Sequence, residues 1–468
     1  MARRDSRHGS RIFLWLPVVL VVAVLASAGV AYRLDPDHPG PTDDPAVIAP
    51  PAGLTLPALS TPPPVAEPAQ GVPDPAKVRR AIAPLLEDDD LGPDVLATVA
   101  GLDGTLLYST GIGTATPAST LKLLTTSAAL ESLGPDHTFA TTVVSDAPGR
   151  IVLVGGGDPL LSSKPGGRAA YPHPADVVTL AKETAQALRD SGRTKVRLGY
   201  DTSLFSGPAV NPHWPATYVP EGVVSPISPL WVDEGRPATG FGRVDDPAAS
   251  AAAAFAAGLG RAGIEVVGVP RKRQAAPDAS ELARVTSPPL SQIVEHTLEF
   301  SDNEAAEVLL RQVGLATGDE GSSKAGVAGV LDVLGTLGVP TDGAELYDGS
   351  GLSRDDLVDP DTLAAVLETA GSADHPELRA VVSGLPVAGF NGSLADRFAD
   401  SPQGRGLVRA KTGTLSGVSG LAGAVTDRDG LPMVFALMAD RVDLVDTLGA
   451  RDALDAVASA LAACRCGT

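Results

Sequence analysis

Two sets of strand-like runs stand at opposite ends of this chain, and a sheet that joins them must be split by everything between. Near the start, Asp94 to Ala100 and Thr105 to Ser109 read as strands joined by the turn Gly101-Leu102-Asp103-Gly104. Near the end, Leu407 to Thr412, Val418 to Thr426 and Leu431 to Met438 read as three more, with Asp427-Arg428-Asp429-Gly430 as the last hairpin turn. An amphipathic helix is expected over 77–88. A final one runs from Leu444 to Ala463, with Ala450, Leu454, Val457 and Leu461 on one face. The expectation is an α+β fold, a five-stranded antiparallel sheet flanked by helices and interrupted by a second domain.

The first residues bear on location. Arg3, Arg4, Arg7 and Arg11 form a basic tail (1–11) before an uncharged, mostly apolar run over 12–32. That run is the length of a membrane-spanning helix, and Asp35 and Asp37 follow it, so the charge asymmetry leaves the body outside the cytoplasm. Ala26-Ser27-Ala28 also offers a small-residue cleavage site, so a retained anchor and a removed signal both stand. Residues 33–76 are dense in Pro, with Pro62-Pro63-Pro64 at their middle, and read as an extended linker.

The formal charge of −20, with a pI near 4.7 and no basic stripe, argues against nucleic-acid binding. Seven scattered His residues show no ligand spacing, so no metal or cofactor is expected. The only cysteines, Cys464 and Cys466, sit in a tail over 464–468. A Cys-x-Cys bridge there closes a tight ring, and a tail without a role is the simpler reading.

Three motifs carry the chemistry, in the order Ser119-Thr120-Leu121-Lys122, Ser301-Asp302-Asn303 and Lys411-Thr412-Gly413, followed by Thr414. Ser119 opens a helical stretch from Thr120 to Leu133, and Lys122 lies one turn on, within reach of its hydroxyl. Leu121, Leu123 and Leu124 would bury that turn, and desolvation leaves a lysine amine neutral and fit to act as a base. The second motif lies between the helical patterns Leu290–Phe300 and Glu304–Val313, where the bland alternative is helix capping. The third ends a strand. Lys411 supplies a fixed positive charge, Thr412 a hydroxyl, and Gly413 room for a substrate backbone laid along the edge. The N–H groups of Ser119 and Thr414 would form an oxyanion hole.

With these motifs the chain resembles the D-alanyl-D-alanine carboxypeptidase/endopeptidase family, the class C low-molecular-mass penicillin-binding proteins. The resemblance extends from about Ala76 to Leu461. It includes Val154-Gly155-Gly156-Gly157-Asp158-Pro159, the stretch Trp214 to Leu230, Asp348-Gly349-Ser350-Gly351-Leu352-Ser353-Arg354, and Leu385-Pro386-Val387-Ala388-Gly389. It implies the penicillin-binding/β-lactamase-like transpeptidase fold, with a catalytic domain over 77–144 and 286–463 and an inserted domain over 145–285. It also implies Ser119 as nucleophile, Lys122 as base and Ser301 as proton relay, with Asn303, Lys411, Thr412, Gly413 and Thr414 on the substrate. The substrate class it implies is the peptidoglycan stem peptide, with β-lactams as covalent inhibitors and no cofactor.

Two rivals bear on the reading. A class A β-lactamase needs Glu-x-x-x-Asn between the second and third motifs. Val387 stands four residues before Asn391, and Glu299, four before Asn303, precedes the motif, so the pattern is missing. A class C β-lactamase needs Tyr where Ser301 stands. A non-catalytic wall-binding protein with a relic site is the rival of a different class, and the intact serine and lysines oppose it.

Overall fold

The computed structural model describes residues 71–468; the basic tail, the apolar run and most of the Pro-rich linker lie outside the described residues. In chain order the main elements are α1 (Pro75–Ile82), β1 (Asp94–Gly101), β2 (Leu106–Thr110), α2 (Lys122–Leu133), β3 (Ala140–Ala147), β4 (Arg150–Val154), α3 (Val177–Asp190) and β5 (Lys195–Asp201). Then come α4 (Pro247–Arg261), β6 (Glu265–Val266), β7 (Arg271–Lys272), β8 (Ser280–Thr286), α5 (Leu290–Phe300), α6 (Asn303–Gly318), α7 (Ser323–Thr336) and α8 (Pro360–Gly371). The chain closes with α9 (Arg379–Ser383), β9 (Val408–Leu415), β10 (Val418–Thr426), β11 (Pro432–Asp440) and α10 (Thr447–Ala463).

The expected split sheet forms. Its five strands run in the order β2-β1-β11-β10-β9, and every neighbouring pair is antiparallel. β11 joins the two chain ends by pairing with β1 from Asp94↔Asp440 to Gly101↔Met433. Strand alternation then sorts side chains to two helical layers. Leu96, Ala100, Val434, Ala436 and Met438 pack with α2, while Ala97, Val99, Met433, Phe435 and Leu437 face α1 and α10. Covered on both faces, these strands read as nearly unbroken apolar runs.

α2 is the central helix, buried all round from Lys122 to Leu130. Two of its buried hydroxyls are satisfied by backbone carbonyls: Thr126 Oγ1 donates to that of Lys122 at 2.6 Å and Thr125 Oγ1 to that of Gly349 at 2.8 Å. α1 starts earlier and stops sooner than its pattern predicts. Asp74 caps it by accepting from Ala76 N–H, and the chain continues as a 3₁₀ turn over Ala83–Glu87, where Pro84 has no N–H to extend an α-helix.

A second sheet lies between the halves of the first, in the order β6-β5-β4-β3-β8, with β7 also pairing on β5. It is mixed: β3 pairs antiparallel with β4 and β8, while β5 runs parallel to β4, β6 and β7. Val143, Ile151, Leu153, Leu180, Leu188 and Phe255 make its core against α3 and α4. The glycine run after β4 does more than turn the chain. A Cβ on Gly156 would fall 2.0 Å from the Ala140 carbonyl oxygen, and Gln312 Nε2 on α6 donates to the Gly156 carbonyl at 2.9 Å. Close packing therefore requires glycine there.

The cysteines do bridge, and their segment is part of the fold. Cys466 is fully buried, its N–H donates to Asp427 Oδ2 at 3.0 Å, and its carbonyl accepts from Asp74 N–H at 2.6 Å. The reading of a tail without a role is corrected: it ties the start of α1 to the β10–β11 turn.

Candidate active site

The segment before α2 enters through a left-handed residue. Ala118 has φ 46°, and Ala118–Leu121 form a 3₁₀ turn that leads into α2, so Ser119 sits in a tighter turn than the expected α-helix start. The neighbouring loop leaves no alternative course. Gly351 has φ 76°, and a Cβ there would lie 1.8 Å from the Ala118 carbonyl oxygen.

Lys122 follows by one turn and is fully buried. Its Nζ lies 3.0 Å from Ser119 Oγ, 2.8 Å from Asn303 Oδ1 and 2.7 Å from the Ser350 carbonyl oxygen. A neutral amine has two N–H donors and one lone pair, so it can donate to the two carbonyl oxygens and accept from Ser119 O–H. Burial lowers its pKa to about 8, while Asp348, Asp302, Glu307 and Glu304 push the other way.

A buried loop holds the Ser350 carbonyl in place. Glu307 Oε1 accepts from Gly349 N–H at 2.9 Å, Ser350 N–H at 2.9 Å and Ser350 Oγ at 2.7 Å. Asp348 accepts from Gly351 N–H, Ser353 N–H and Trp214 Nε1, each at 2.7 Å. Burial raises Glu307 to about 8, and the neighbouring Asp348 charge adds to the rise.

Ser301-Asp302-Asn303 divides its labour. Ser301 ends α5 in the left-handed region, with φ 57° and ψ 40°, an unusual conformation for a residue with a Cβ. Asp302 is the cap of α6 and accepts from Ala305 N–H at 2.9 Å, so the capping alternative holds for this residue alone. Asn303 spends its oxygen on Lys122 and donates through Nδ2 to the Val223 carbonyl at 3.1 Å.

Lys411 is also fully buried, and its Nζ lies 2.9 Å from Ser301 Oγ and 2.8 Å from the Thr412 carbonyl oxygen. Burial first, and then the charge on Lys122, hold it well below the ordinary amine range. Among the described residues no carboxylate pairs with it. The expectation of a fixed charge at Lys411 is therefore amended: burial and the nearby Lys122 charge both press this amine toward neutrality.

β9 is the edge strand, and its outer edge is covered only in part. Ala388 N–H donates to the Val408 carbonyl and Ala410 N–H to that of Pro386, each at 3.0 Å. In an antiparallel ladder every second residue turns its N–H outward, so Thr412 and Thr414 present theirs beyond Ala410 on that same edge. Gly413 faces inward, where a Cβ would come 2.6 Å from the Pro117 carbonyl oxygen. Thr412 Oγ1 donates to Ser393 Oγ at 2.9 Å.

The structure thus gathers Ser119, Lys122 and Asn303 into one cluster and Ser301, Lys411 and Thr412 into another, joined through the Ser301–Asn303 tripeptide. Ser301 meets Lys411, with no recorded bond to Lys122. Sequence reasoning did not single out Glu307 or Ser393, and it named Asp348 and Ser350 only within the resemblance, with no role for either. The Asp348–Gly351 run was a usable signal, because two glycines beside an acid mark a tight loop that caps its own N–H groups.

A split antiparallel sheet with a serine and a buried lysine one turn apart at its edge defines the penicillin-binding/β-lactamase-like class. The chain belongs to the D-Ala-D-Ala carboxypeptidase 3 (S13) family, whose model matches residues 78–241 and 236–461. It is 36% identical to carboxypeptidase DacB of Mycolicibacterium smegmatis, over 96% of this chain and 96% of that one. To the D-alanyl-D-alanine carboxypeptidase of an Actinomadura species it is 34% identical, over 76% of this chain and 79% of that one. Penicillin-binding protein 4 of Haemophilus influenzae has the same fold, with TM-score 0.67 and 22% identity, covering 82% of this chain and 97% of that one.

Proposed function

We propose that the chain is a serine-type D-alanyl-D-alanine carboxypeptidase acting on peptidoglycan stem peptides. The observation that carries this is the Lys122 amine, fully buried and 3.0 Å from Ser119 Oγ. Lys122 takes the Ser119 proton as Oγ attacks the penultimate D-alanyl carbonyl carbon, and the oxyanion forms against the Ser119 and Thr414 N–H groups. The C–N bond then breaks. The proton passes by way of Ser301 to the departing D-alanine nitrogen, and water hydrolyses the ester on Ser119. A substrate chain laid along the free edge of β9 supplies the register, and its terminal carboxylate restores the positive charge of Lys411.

An amide between two stem peptides presents the same carbonyl, so cross-link cleavage belongs to the same proposal. β-Lactams offer a strained amide to Ser119 and remain as the ester. The N-terminal basic tail and apolar run support an extracytoplasmic location, on a retained anchor or released to the wall after cleavage. The test is the full chain in detergent, with fluorescent penicillin and a D-Ala-D-Ala pentapeptide, beside Ser119→Ala. Stable label and released D-alanine are expected from the wild type alone. Label lost within seconds would mean a β-lactamase, and no label on folded protein would overturn acylation.

A further inference from the structure

Ser393 lies on the short turn Gly392–Leu394, far from the three motifs in sequence, yet its Oγ is 2.9 Å from Thr412 Oγ1. Both residues are half-buried. The turn is built to hold this position. Leu394 is fully buried in the sheet's outer core, and Leu394 carbonyl accepts from Gly389 N–H at 2.9 Å. Asn391 braces the turn on both sides: Oδ1 accepts from Val387 N–H at 2.7 Å and Nδ2 donates to Glu299 Oε1 at 2.9 Å. Glu299 stands two residues before Ser301 on α5, and Gly392, at φ 54°, would drive a Cβ to 2.4 Å from the Glu299 carbonyl oxygen. The Ser393 turn is thereby tied to the strand bearing Lys411 and to the helix bearing Ser301.

Two hydroxyls sharing one hydrogen bond leave one proton free. With Thr412 O–H donating to Ser393 Oγ, the Ser393 O–H points onward; with the roles reversed, the Thr412 O–H does. Beside them the outward N–H groups of Thr412 and Thr414 add two further donors along the same edge. An anionic oxygen is the acceptor that such a set of donors lacks. We propose that Ser393 is a positioning residue that fixes the Thr412 hydroxyl toward the free carboxylate at a substrate's C-terminus, and so sets the preference for carboxylate-bearing leaving groups. This rests on the function proposed above and goes beyond it, since a wall of the leaving-group site is assigned to a loop outside the motifs.

The test compares wild type, Ser393→Ala and Ser393→Thr on two substrates with the same acyl-D-alanyl group. One leaves as D-alanine, with its carboxylate, and the other leaves as a simple thiol without one. Ser393→Ala is expected to lower kcat/KM about tenfold on the first, the scale of one weakened hydrogen bond to a charged group, and to leave the second within about twofold. Ser393→Thr, which keeps the hydroxyl, should restore most of the loss. An equal fall on both substrates, with melting temperature retained, would overturn the assignment, and so would no fall on either. If the wild type turns over both substrates and Ser393→Ala shows no such split, only the Ser393 role is overturned. A wild type that acts on neither substrate overturns the enzymatic reading and this inference with it.

Discussion

Replacing Gly351 by Ala tests the site's architecture without touching a reacting group. The new Cβ would start 1.8 Å from the Ala118 carbonyl oxygen, 2.4 Å from its carbon and 3.1 Å from Ser119 N. All three are backbone atoms, so no side chain can swing away, and the turn bearing Ser119 must retreat by roughly 1.6 Å to reach ordinary contact distance. The left-handed φ of 76° adds about 1–2 kcal/mol of strain for any residue with a Cβ. A displacement of about 1 Å in a nucleophile lowers the rate about 100-fold. The assay is the second-order rate of acylation by fluorescent penicillin, with thermal melting alongside. Gly335→Ala is the control, because that glycine lies in α7 with nothing within 4 Å, and Ala there should stabilise by about 0.5–1 kcal/mol. Acylation of Gly351→Ala within twofold of wild type would refute the claim that this loop dictates the place of Ser119.

Four further outcomes are expected. The acylation rate should rise with pH and level off above about 8, because the neutral amine of Lys122 is the active form and burial has lowered its pKa from 10.5; a rate independent of pH from 6 to 9 would contradict this. That shift also means the unfolded chain binds more protons between about 8 and 10.5, so Lys122 should contribute stability that grows with pH across that window, visible in denaturant titrations. Glu307→Ala leaves Gly349 N–H and Ser350 Oγ without their buried acceptor and Ser350 N–H with Asp348 alone, which loosens the Ser350 carbonyl, so kcat should fall about 10–100-fold with KM little changed. Deleting residues 464–468 removes the ties to Asp427 and Asp74 and should cost about 1–3 kcal/mol in stability, read by melting, with acylation unchanged.

Much of the fold was legible because its determinants are local. Alternation and turn residues place β1, β2, β10 and β11 to within a residue or two, and pairing them across the chain follows from their having no other partners nearby. Pro84 shows the limit of periodicity, since the amphipathic pattern continues past it while the α-helix does not. The second sheet was harder to read. Its β6 and β7 are two residues each and exist only because β5 offers them an edge.

For the site, the sequence by itself determined which groups could react: a serine and a lysine one helical turn apart must meet whatever surrounds them. It also placed a glycine beside Thr412, but the structure corrects the purpose read into it: Gly413 makes room for the turn bearing Ser119, against the Pro117 carbonyl, and not for a substrate backbone. Only the tertiary structure decided the charge on those groups. Lys122 and Lys411 are ordinary lysines in sequence, and their pKa values fall because layers from distant segments exclude water, with the Lys122 charge adding to the fall at Lys411. The same holds for Glu307, Ser350 and Ser393, which act through contacts spanning many residues of chain. No local pattern encodes such contacts, because desolvation and orientation belong to the packed site and not to the residue.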